Sequence, residues 1–380
     1  MGTGTDRIDM RGKPQAPPDF LTVINLNAPV PADHPLRAIK RRTDAVLQKL
    51  SPLFDDLYEE LGRPSIPPEP LLKARVLTAL YTVRRERLFC EQLGYNLLWL
   101  WFLDREFSAG RFDHRVFAKN YERVLSAAVA QLFFAEVYDL SRQEGWTSDA
   151  HFTADGTLIE SWASLKSFVR KDGTDAAKVQ SAKDEDPGQP SVNFRGEKRR
   201  NDTPQSTTDP ESVLYRKASG KEARLCYGGH ILMENRHGLG ADFTRHHPIT
   251  EAEPAVALRQ LDEHRELPEG TAPATLGADQ AYHQKAFVQG CRERAISPHV
   301  ACKQGLKVGG LDGRTTTQSG YQTSQRIRKR VEEIFGWMKT VGGWRRSRYR
   351  GRERTQAWGY FVASTYHLLR LARLEMVAAN

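Results

Sequence analysis

An acidic residue within an alternating stretch is the first feature of the chain that could support chemistry. Residues 151–161 alternate apolar and polar side chains and break at Asp155-Gly156. Such alternation over about four to eight residues is typical of a half-buried strand. An aspartate there, beside a glycine that admits another backbone or a ligand, is costly to bury unless a cation lies next to it. Asp-Gly is also a common hairpin turn, which is the better interpretation of this stretch taken alone.

A second carboxylate follows a later apolar run. The run 276–278 predicts a strand that delivers Asp279 at its end. In α/β sheets, ligands bind outside the carboxyl ends of the strands, where Asp155 and Asp279 would face each other. Two separate stretches thus bring an acid to one edge of the predicted sheet.

A third carboxylate lies on a helix predicted from about 324 to 340. At about 100° per residue, the apolar residues of this helix cluster on one side and face the core. Glu332 lies at the edge of that apolar face, in line with Arg328 and Lys339, whereas Glu333 points away into solvent. The spacing therefore favours Glu332. The apolar residues concerned are Val331, Ile334, Phe335 and Met338.

Three converging carboxylates in a basic surrounding are suited to binding divalent metal ions. Asp155, Asp279 and Glu332 would repel one another without a neutralising cation. Carboxylate oxygens are ligands of hard cations, and Mg²⁺ commonly uses one or two of them with water and a substrate phosphate. We expect two ions, Mg²⁺ or Mn²⁺, which could stabilise both the attacking and the leaving oxygen of a phosphoryl displacement.

The positive charge of the chain is concentrated in one segment. Of the 380 residues, 39% are hydrophobic and 27% charged, and the net charge is +9. Residues 326–354 hold eleven lysines and arginines against three glutamates, nearly the whole excess. Such a cluster indicates a polyanion partner, most often nucleic acid, although a solvated basic face is the alternative. The residues predicted to bind DNA are Arg328, Lys329, Arg330, Lys339, Arg345, Arg346 and Arg348.

Several classes of protein are disfavoured. The longest apolar run, Leu97–Leu103, is far too short for a membrane span, and Met1–Phe20 lacks the apolar core of a signal peptide. The four cysteines lie far apart without a Cys-x-x-Cys pair, which favours a reducing cytoplasm over a disulfide framework or a zinc ribbon. No glycine loop carries a phosphate-binding fingerprint, so ATP dependence is not expected.

The pattern along the chain predicts two domains of different class. Residues 1–30 form an arm, in which 20–26 could be a short strand, and 31–145 an all-helical domain with Trp99 and Trp101 in its core. Residues 146–380 alternate strands and helices, which predicts an α/β domain with a mixed sheet flanked by helices. Within it, 166–212 is a polar, flexible insertion. Four histidines fit no metal-ligand spacing and are expected to be structural: His230, His237, His246 and His247.

Three motifs resemble those of the insertion-sequence transposases of the DDE class, most of all the insertion sequence 5 family. They are Asp155-Gly156-Thr157, Ala278-Asp279-Gln280-Ala281-Tyr282, and Arg328-x3-Glu332-x6-Lys339 with Phe335-Gly336-Trp337. The resemblance extends to 33–37, 201–210, 214–217 and 360–371, and so covers nearly the whole chain. Two positions depart from the family pattern, Gln325 in place of tyrosine and Pro204 in place of histidine, which puts a DNA contact and a loop contact in doubt.

The resemblance implies a fold and an activity. It implies an RNase H-like catalytic domain in which Asp155, Asp279 and Glu332 bind the metal ions, while Arg328 and Lys339 contact the transposon end. The activity would be cleavage at terminal inverted repeats with water as nucleophile, followed by attack of the freed 3′-hydroxyl on target DNA. The helical domain 31–145 would recognise the ends, as part of a homodimer on DNA, in the bacterial cytoplasm and associated with the nucleoid.

Two other functions remain open from the sequence. One is a catalytically silent, sequence-specific DNA-binding protein of transposase ancestry, against which the intact acids argue. The other is a metal-dependent nuclease on the same fold, which a requirement for specific terminal repeats would separate from a transposase.

Overall fold

Among the described residues, the regular elements up to Gln143 are helices, and strands alternate with helices beyond it. The computed structural model describes residues 25–57, 66–106, 111–170, 204–216, 222–266, 273–303, 305, 311 and 313–379. The helices that precede the first strand are α1 (Pro35–Asp56), α2 (Pro68–Leu80), α3 (Glu86–Leu93), α4 (Leu97–Phe102), α5 (Arg115–Lys119) and α6 (Ala127–Gln143).

Local sequence explains where several of these helices begin. The first residue of α2 is Pro68, whose missing N–H is no loss at a position without an intrahelical partner. The side chain of Asn96 accepts a hydrogen bond from the Trp99 N–H at the start of α4, and Ser126 does the same for Val129 at the start of α6. Trp99 and Trp101 are buried, so their predicted place in the core is confirmed.

The described residues after Gln143 form a mixed sheet. Its central strand β1 pairs antiparallel with β5 and parallel with β7, which pairs parallel with β8. On its other side, β5 pairs antiparallel with β4 and then with β6. A separate two-stranded sheet joins β2 to β3. The strands are β1 (His151–Glu160), β2 (Phe168–Arg170), β3 (Pro204–Ser206), β4 (Val213–Tyr215), β5 (Arg224–Glu234), β6 (Gly240–His246), β7 (Thr275–Ala278) and β8 (Ser297–Val300).

Helices cover both faces of this sheet. The later helices are α7 (Glu253–Glu266), α8 (Lys285–Glu293), α9 (Gly313–Thr316), α10 (Ser319–Ile327), α11 (Arg330–Thr340) and α12 (Arg352–Ala378). Phe152 and Leu276 pack on the face towards α7 and α8, whereas Ile159 and Phe243 belong to the core shared with α11 and α12. The predicted class, an RNase H-like mixed sheet flanked by helices and preceded by a helical region, is confirmed.

The last helix connects the two halves of the chain. The rings of Phe361 and Tyr360 on α12 lie 6.2 Å from Phe133 and 5.7 Å from Phe134 on α6. The buried side chains of the helical region, of α12 and of one sheet face form one continuous apolar core. The described helices α1 to α6 thus pack against the sheet through α12, and the domain boundaries remain a prediction.

Two predicted segments differ from the structure or lie partly outside it. The helix predicted over 324–340 is two helices, α10 and α11, separated by a tight turn in which the Val331 N–H bonds to the Arg328 carbonyl at 3.1 Å. Within the predicted insertion, the described ends are paired as β2 and β3, and the rest, 171–203, lies outside the described residues. Most of the predicted arm, 1–24, also lies outside them.

The histidines and cysteines have structural places. His230 and His246 are buried, and His237 donates from Nδ1 to the Trp146 carbonyl at 2.6 Å. The cysteines are free thiols, and all but Cys302 are buried. In the described ranges, no helix is long and apolar enough to cross a bilayer.

Candidate active site

Asp155 and Asp279 lie level with each other on neighbouring parallel strands. Thr153 of β1 pairs with Gly277 of β7, so two residues further on, Asp155 is level with Asp279, which directly follows β7. Residues two apart on a strand project from the same face, which places Asp155 on the face of Thr153. The structure brings these two predicted acids together.

One oxygen of each carboxylate is held by a nearby backbone amide. Asp155 Oδ1 accepts from the Gly156 N–H at 2.8 Å, and Asp279 Oδ1 accepts from the Ala281 N–H at 2.7 Å. Asp279 thereby caps the short 3₁₀ turn Gln280–Tyr282. Neither Oδ2 accepts a hydrogen bond from any residue in the described part of the chain. Each carboxylate is therefore oriented by one oxygen and can offer the other to a ligand.

The surroundings of Asp155 disfavour its charged form. Burial, together with the negative charges of Asp279 and Glu253, raises the pKa of the Asp155 carboxyl to about 7, against the opposing effects of the Gly156 N–H bond and of Arg328. The carboxylate would be stabilised by an added cation. Two acids with free oxygens in such a field fit a divalent metal ion.

Glu253 is an acidic neighbour that sequence reasoning missed. It lies in the first turn of α7, and its Oε1 would be 2.3 Å from a Cβ built on Gly156. A side chain at position 156 would require the end of the Glu253 side chain to move. No motif marks Glu253 in the sequence, since its proximity to Asp155 arises only from the packing of α7 on the sheet.

Glu332 is exposed on α11 and is not gathered with the two aspartates. Within the described ranges, no three acidic, histidine or cysteine side chains lie close enough together to hold a metal ion. Glu332 shares a face of α11 with Lys339, seven residues on, at about 100° per residue. Lys339 donates from Nζ to Thr157 Oγ1 at 2.5 Å, two residues beyond Asp155. The helix face that carries Glu332 is thus the one turned towards β1.

Arg328 and Arg330 flank the site in different ways. Arg328 lies against Gly277, its Cβ 3.5 Å from a Cβ built there, and its charge acts on Asp155. Arg330 donates to the carbonyls of Asn235 and Arg236 at 3.0 and 3.1 Å. Of these two predicted DNA contacts, Arg328 is beside the acids and Arg330 is engaged with the backbone after β5.

The remaining basic residues divide into structural and exposed groups. Arg348 donates to the Val83 carbonyl at 2.6 Å and stacks 4.7 Å from the Trp358 ring, and burial lowers its pKa. Arg346 donates to the Ser161 and Trp162 carbonyls beyond the end of β1. Lys329 and Arg345 are exposed, and their side chains make no ion pair with any residue the structure describes.

Two family models match the chain. A model described as "Transposase domain (DUF772)" matches residues 24–123, and one described as "Transposase DDE domain" matches residues 196–368. The second match includes Asp279 and Glu332 and begins after Asp155. No curated protein matches the chain.

Among solved structures, a match is the crystal structure of a pre-cleavage Mos1 transpososome. The two chains share 10% identity over 85% of this chain and 81% of that one, with a TM-score of 0.20. This similarity is too low to support an argument. Residues 24–123 are thus similar to one transposase domain, and residues 196–368 are similar to a transposase DDE domain.

Proposed function

We propose that the protein is the transposase of an insertion sequence resembling insertion sequence 5. It binds the terminal inverted repeats of its element and catalyses metal-dependent strand cleavage and strand transfer into target DNA. The observation that carries this proposal is the level placement of Asp155 and Asp279, with Arg328 and Lys339 bordering them.

Asp155, Asp279 and Glu332 are the proposed ligands of two Mg²⁺ or Mn²⁺ ions. The two aspartates offer oxygens that face no described donor, and Glu332 adds a carboxylate from the α11 face that it shares with Lys339. Held there, two divalent ions would stabilise the attacking and leaving oxygens of an in-line phosphoryl displacement.

The chain's own residues position the DNA for that displacement. In cleavage, a water oxygen bonds to phosphorus, the bond from phosphorus to O3′ breaks, and the strand leaves with a 3′-hydroxyl. That hydroxyl then attacks a phosphorus of target DNA, the bond from that phosphorus to O3′ of the target breaks, and the target strand leaves with a 3′-hydroxyl. Arg328 and Lys339 lie where they can neutralise the scissile phosphate, which positions the backbone without reading sequence.

A basic surface continues from the site onto the helical region. Arg345 lies beside the last residue of β1, because its carbonyl accepts a hydrogen bond from the Glu160 N–H at 3.0 Å. The segment 341–348 contacts the turn after α2, where Thr82 donates to the Val341 carbonyl at 2.9 Å. Arg84 and Arg85 are exposed directly beyond this turn. Both matched transposase domains thus contribute arginines to one surface, which fits a DNA backbone that passes from one to the other.

Arg345→Ala is expected to weaken DNA binding at every sequence and to reduce the slope of log Kd against log salt by about 1, because one phosphate contact is lost. Arg348→Ala is expected to lower the unfolding temperature instead, since it removes a buried stacking contact and the bond to Val83. Fluorescence anisotropy over a salt series and thermal unfolding measure the two effects. An unchanged slope in Arg345→Ala would remove that residue from the DNA surface.

A DNA-binding protein without catalysis is the second candidate. It is favoured by one observation, that Glu332 is not gathered with Asp155 and Asp279 in the described structure. Under either function, DNA is the partner and a homodimer would hold two ends together. The proposed setting is the bacterial cytoplasm, on the nucleoid.

The test is cleavage of labelled DNA that carries the element's own terminal repeats. We expect nicking at the repeat boundary in Mg²⁺ or Mn²⁺, none in EDTA, and none on DNA with scrambled repeats. Tight repeat binding without cleavage in either metal would support the second candidate. Cleavage that ignores the repeats would indicate a nuclease.

A further inference from the structure

A buried chain of hydrogen bonds lies behind the two aspartates. Gln260 donates from Nε2 to Asp242 Oδ2 at 2.5 Å, and its Oε1 lies 2.5 Å from His230 Nδ1. His230 Nε2 lies 2.6 Å from the Tyr282 hydroxyl. Gln260, His230 and Tyr282 are each 0% exposed, so none of the three side chains contacts solvent.

The partners determine the direction of each bond. The Gln260 amide nitrogen faces Asp242 and the His230 carbonyl, so its oxygen faces the ring and accepts from His230 Nδ1. The other ring nitrogen, Nε2, is then an acceptor, and the Tyr282 hydroxyl donates to it. Burial lowers the pKa of His230 to about 3, in agreement with a neutral ring.

The two ends of the Tyr282–His230 bond belong to the two halves of the metal site. His230 on β5 pairs with Gly156 on β1, the residue after Asp155. Tyr282 ends the 3₁₀ turn that Asp279 caps. The bond therefore ties the strand beside Asp155 to the turn that holds Asp279.

We infer that the hydrogen bond from Tyr282 to His230 positions the Asp279 carboxylate relative to Asp155 and so sets the metal affinity of the site. Tyr282 is a positioning residue, since its buried hydroxyl cannot reach DNA. This inference rests on the proposed function, because it assumes that the two aspartates bind metal. Outer partners that orient metal ligands are worth about 10–100-fold in metal affinity or activity.

Tyr282→Phe isolates this bond. It removes only the hydroxyl and keeps the ring, which packs 5.2 Å from Phe287. We expect the Mg²⁺ concentration for half-maximal cleavage to rise about 10-fold or more. The rate at saturating metal should stay within a few-fold of wild type, and repeat binding in EDTA should not change.

Tyr227→Phe is the matched control. Like Tyr282, Tyr227 is buried, and it lies on β5. Its hydroxyl donates to Asp209 at 2.6 Å and makes no hydrogen bond near Asp155 or Asp279 in the described structure. The Tyr227→Phe variant should lose stability, and its Mg²⁺ concentration for half-maximal cleavage (the metal midpoint) should equal that of the wild type. The same midpoint in Tyr282→Phe and wild type would overturn the inference, whatever the change in unfolding temperature.

A second variant keeps the test valid if Tyr282→Phe folds poorly. In His230→Asn, the asparagine side chain is too short to reach Tyr282, so the metal midpoint should rise as in Tyr282→Phe. An unshifted midpoint would contradict the inference. Failure of the proposed function is recognised separately, because the wild type itself would then show no metal-dependent cleavage, and the inference would fall with it.

Discussion

Asp155→Asn is expected to make the metal-free protein more stable at pH 8 and to abolish its stabilisation by Mg²⁺. The wild-type carboxyl, with its pKa raised to about 7, stays protonated in the folded state at pH values where the unfolded chain has already ionised. Its ionisation therefore destabilises the fold. Asparagine retains the shape and carries no charge to bury, which should raise the free energy of unfolding by a few kcal/mol.

The pH dependence gives this prediction its sign. A carboxyl with a raised folded pKa costs nothing below its unfolded pKa of about 4, and its cost grows with pH until about 7. The advantage of Asp155→Asn should thus be absent near pH 4, grow up to pH 7 and stay constant above it. Thermal unfolding in EDTA across this range measures it.

Added metal provides the functional part of the same experiment. A ligand at about 100 times its Kd stabilises the folded state by about 2.7 kcal/mol, so saturating Mg²⁺ should raise the unfolding temperature of the wild type. Asp155→Asn should show no such rise, and its cleavage rate should fall by more than about 100-fold, beyond the cost of losing an outer partner. Equal stabilisation of both proteins by Mg²⁺ would exclude Asp155 as a ligand.

Glu86→Ala is expected to destabilise the fold by about 3 kcal/mol. The guanidinium of Arg75 is 1% exposed, and its Nη1 lies 3.1 Å from both Glu86 Oε1 and the Tyr349 hydroxyl. Removing one partner of a buried ion pair leaves an uncompensated charge, which costs about 3–5 kcal/mol. The lower value applies because the Glu86 side chain is 31% exposed.

The control for this prediction lies on the same helix. Glu91→Ala on α3 removes an exposed carboxylate that makes no ion pair in the described structure and should change stability by less than about 0.5 kcal/mol. The double variant Arg75→Met with Glu86→Leu should recover most of the loss, since apolar replacements of buried pairs are often neutral. Chemical unfolding of the three variants and the wild type measures these changes in the free energy of unfolding. A loss in Glu86→Ala no larger than in Glu91→Ala would contradict the account.

The two aspartates could be predicted because local patterns specify them. Alternation is consistent with a strand at Asp155, although Asp-Gly taken alone favours a turn, and an apolar run directly precedes Asp279. The pairing of β1 with β7 then brings both aspartates together. The apolar face of α11 was equally predictable, and Val331, Ile334 and Met338 are buried as expected. Periodicity did not reveal the break after α10, because α10 has no buried apolar face that would mark its end, and its buried residue is Ser324.

Contacts between distant segments could not be predicted from sequence. A count of basic residues does not distinguish Arg345, which is exposed, from Arg348, which donates to a carbonyl 265 positions away in the chain. The approach of Glu253 to Gly156 and the bond between Tyr282 and His230 depend on how α7 and a short turn pack against the sheet. Each needs the tertiary structure.

The measurement that tests the central claim most directly is cleavage of repeat-ended DNA by Glu332→Gln and Glu333→Gln. The two glutamates are adjacent, exposed and on the first turn of α11, so the variants match in charge, helix position and effect on stability. We expect Glu332→Gln to bind the repeats and lose metal-dependent cleavage, and Glu333→Gln to cleave as the wild type does. Full cleavage by Glu332→Gln would contradict the assignment of three acids to a metal-dependent transposase site.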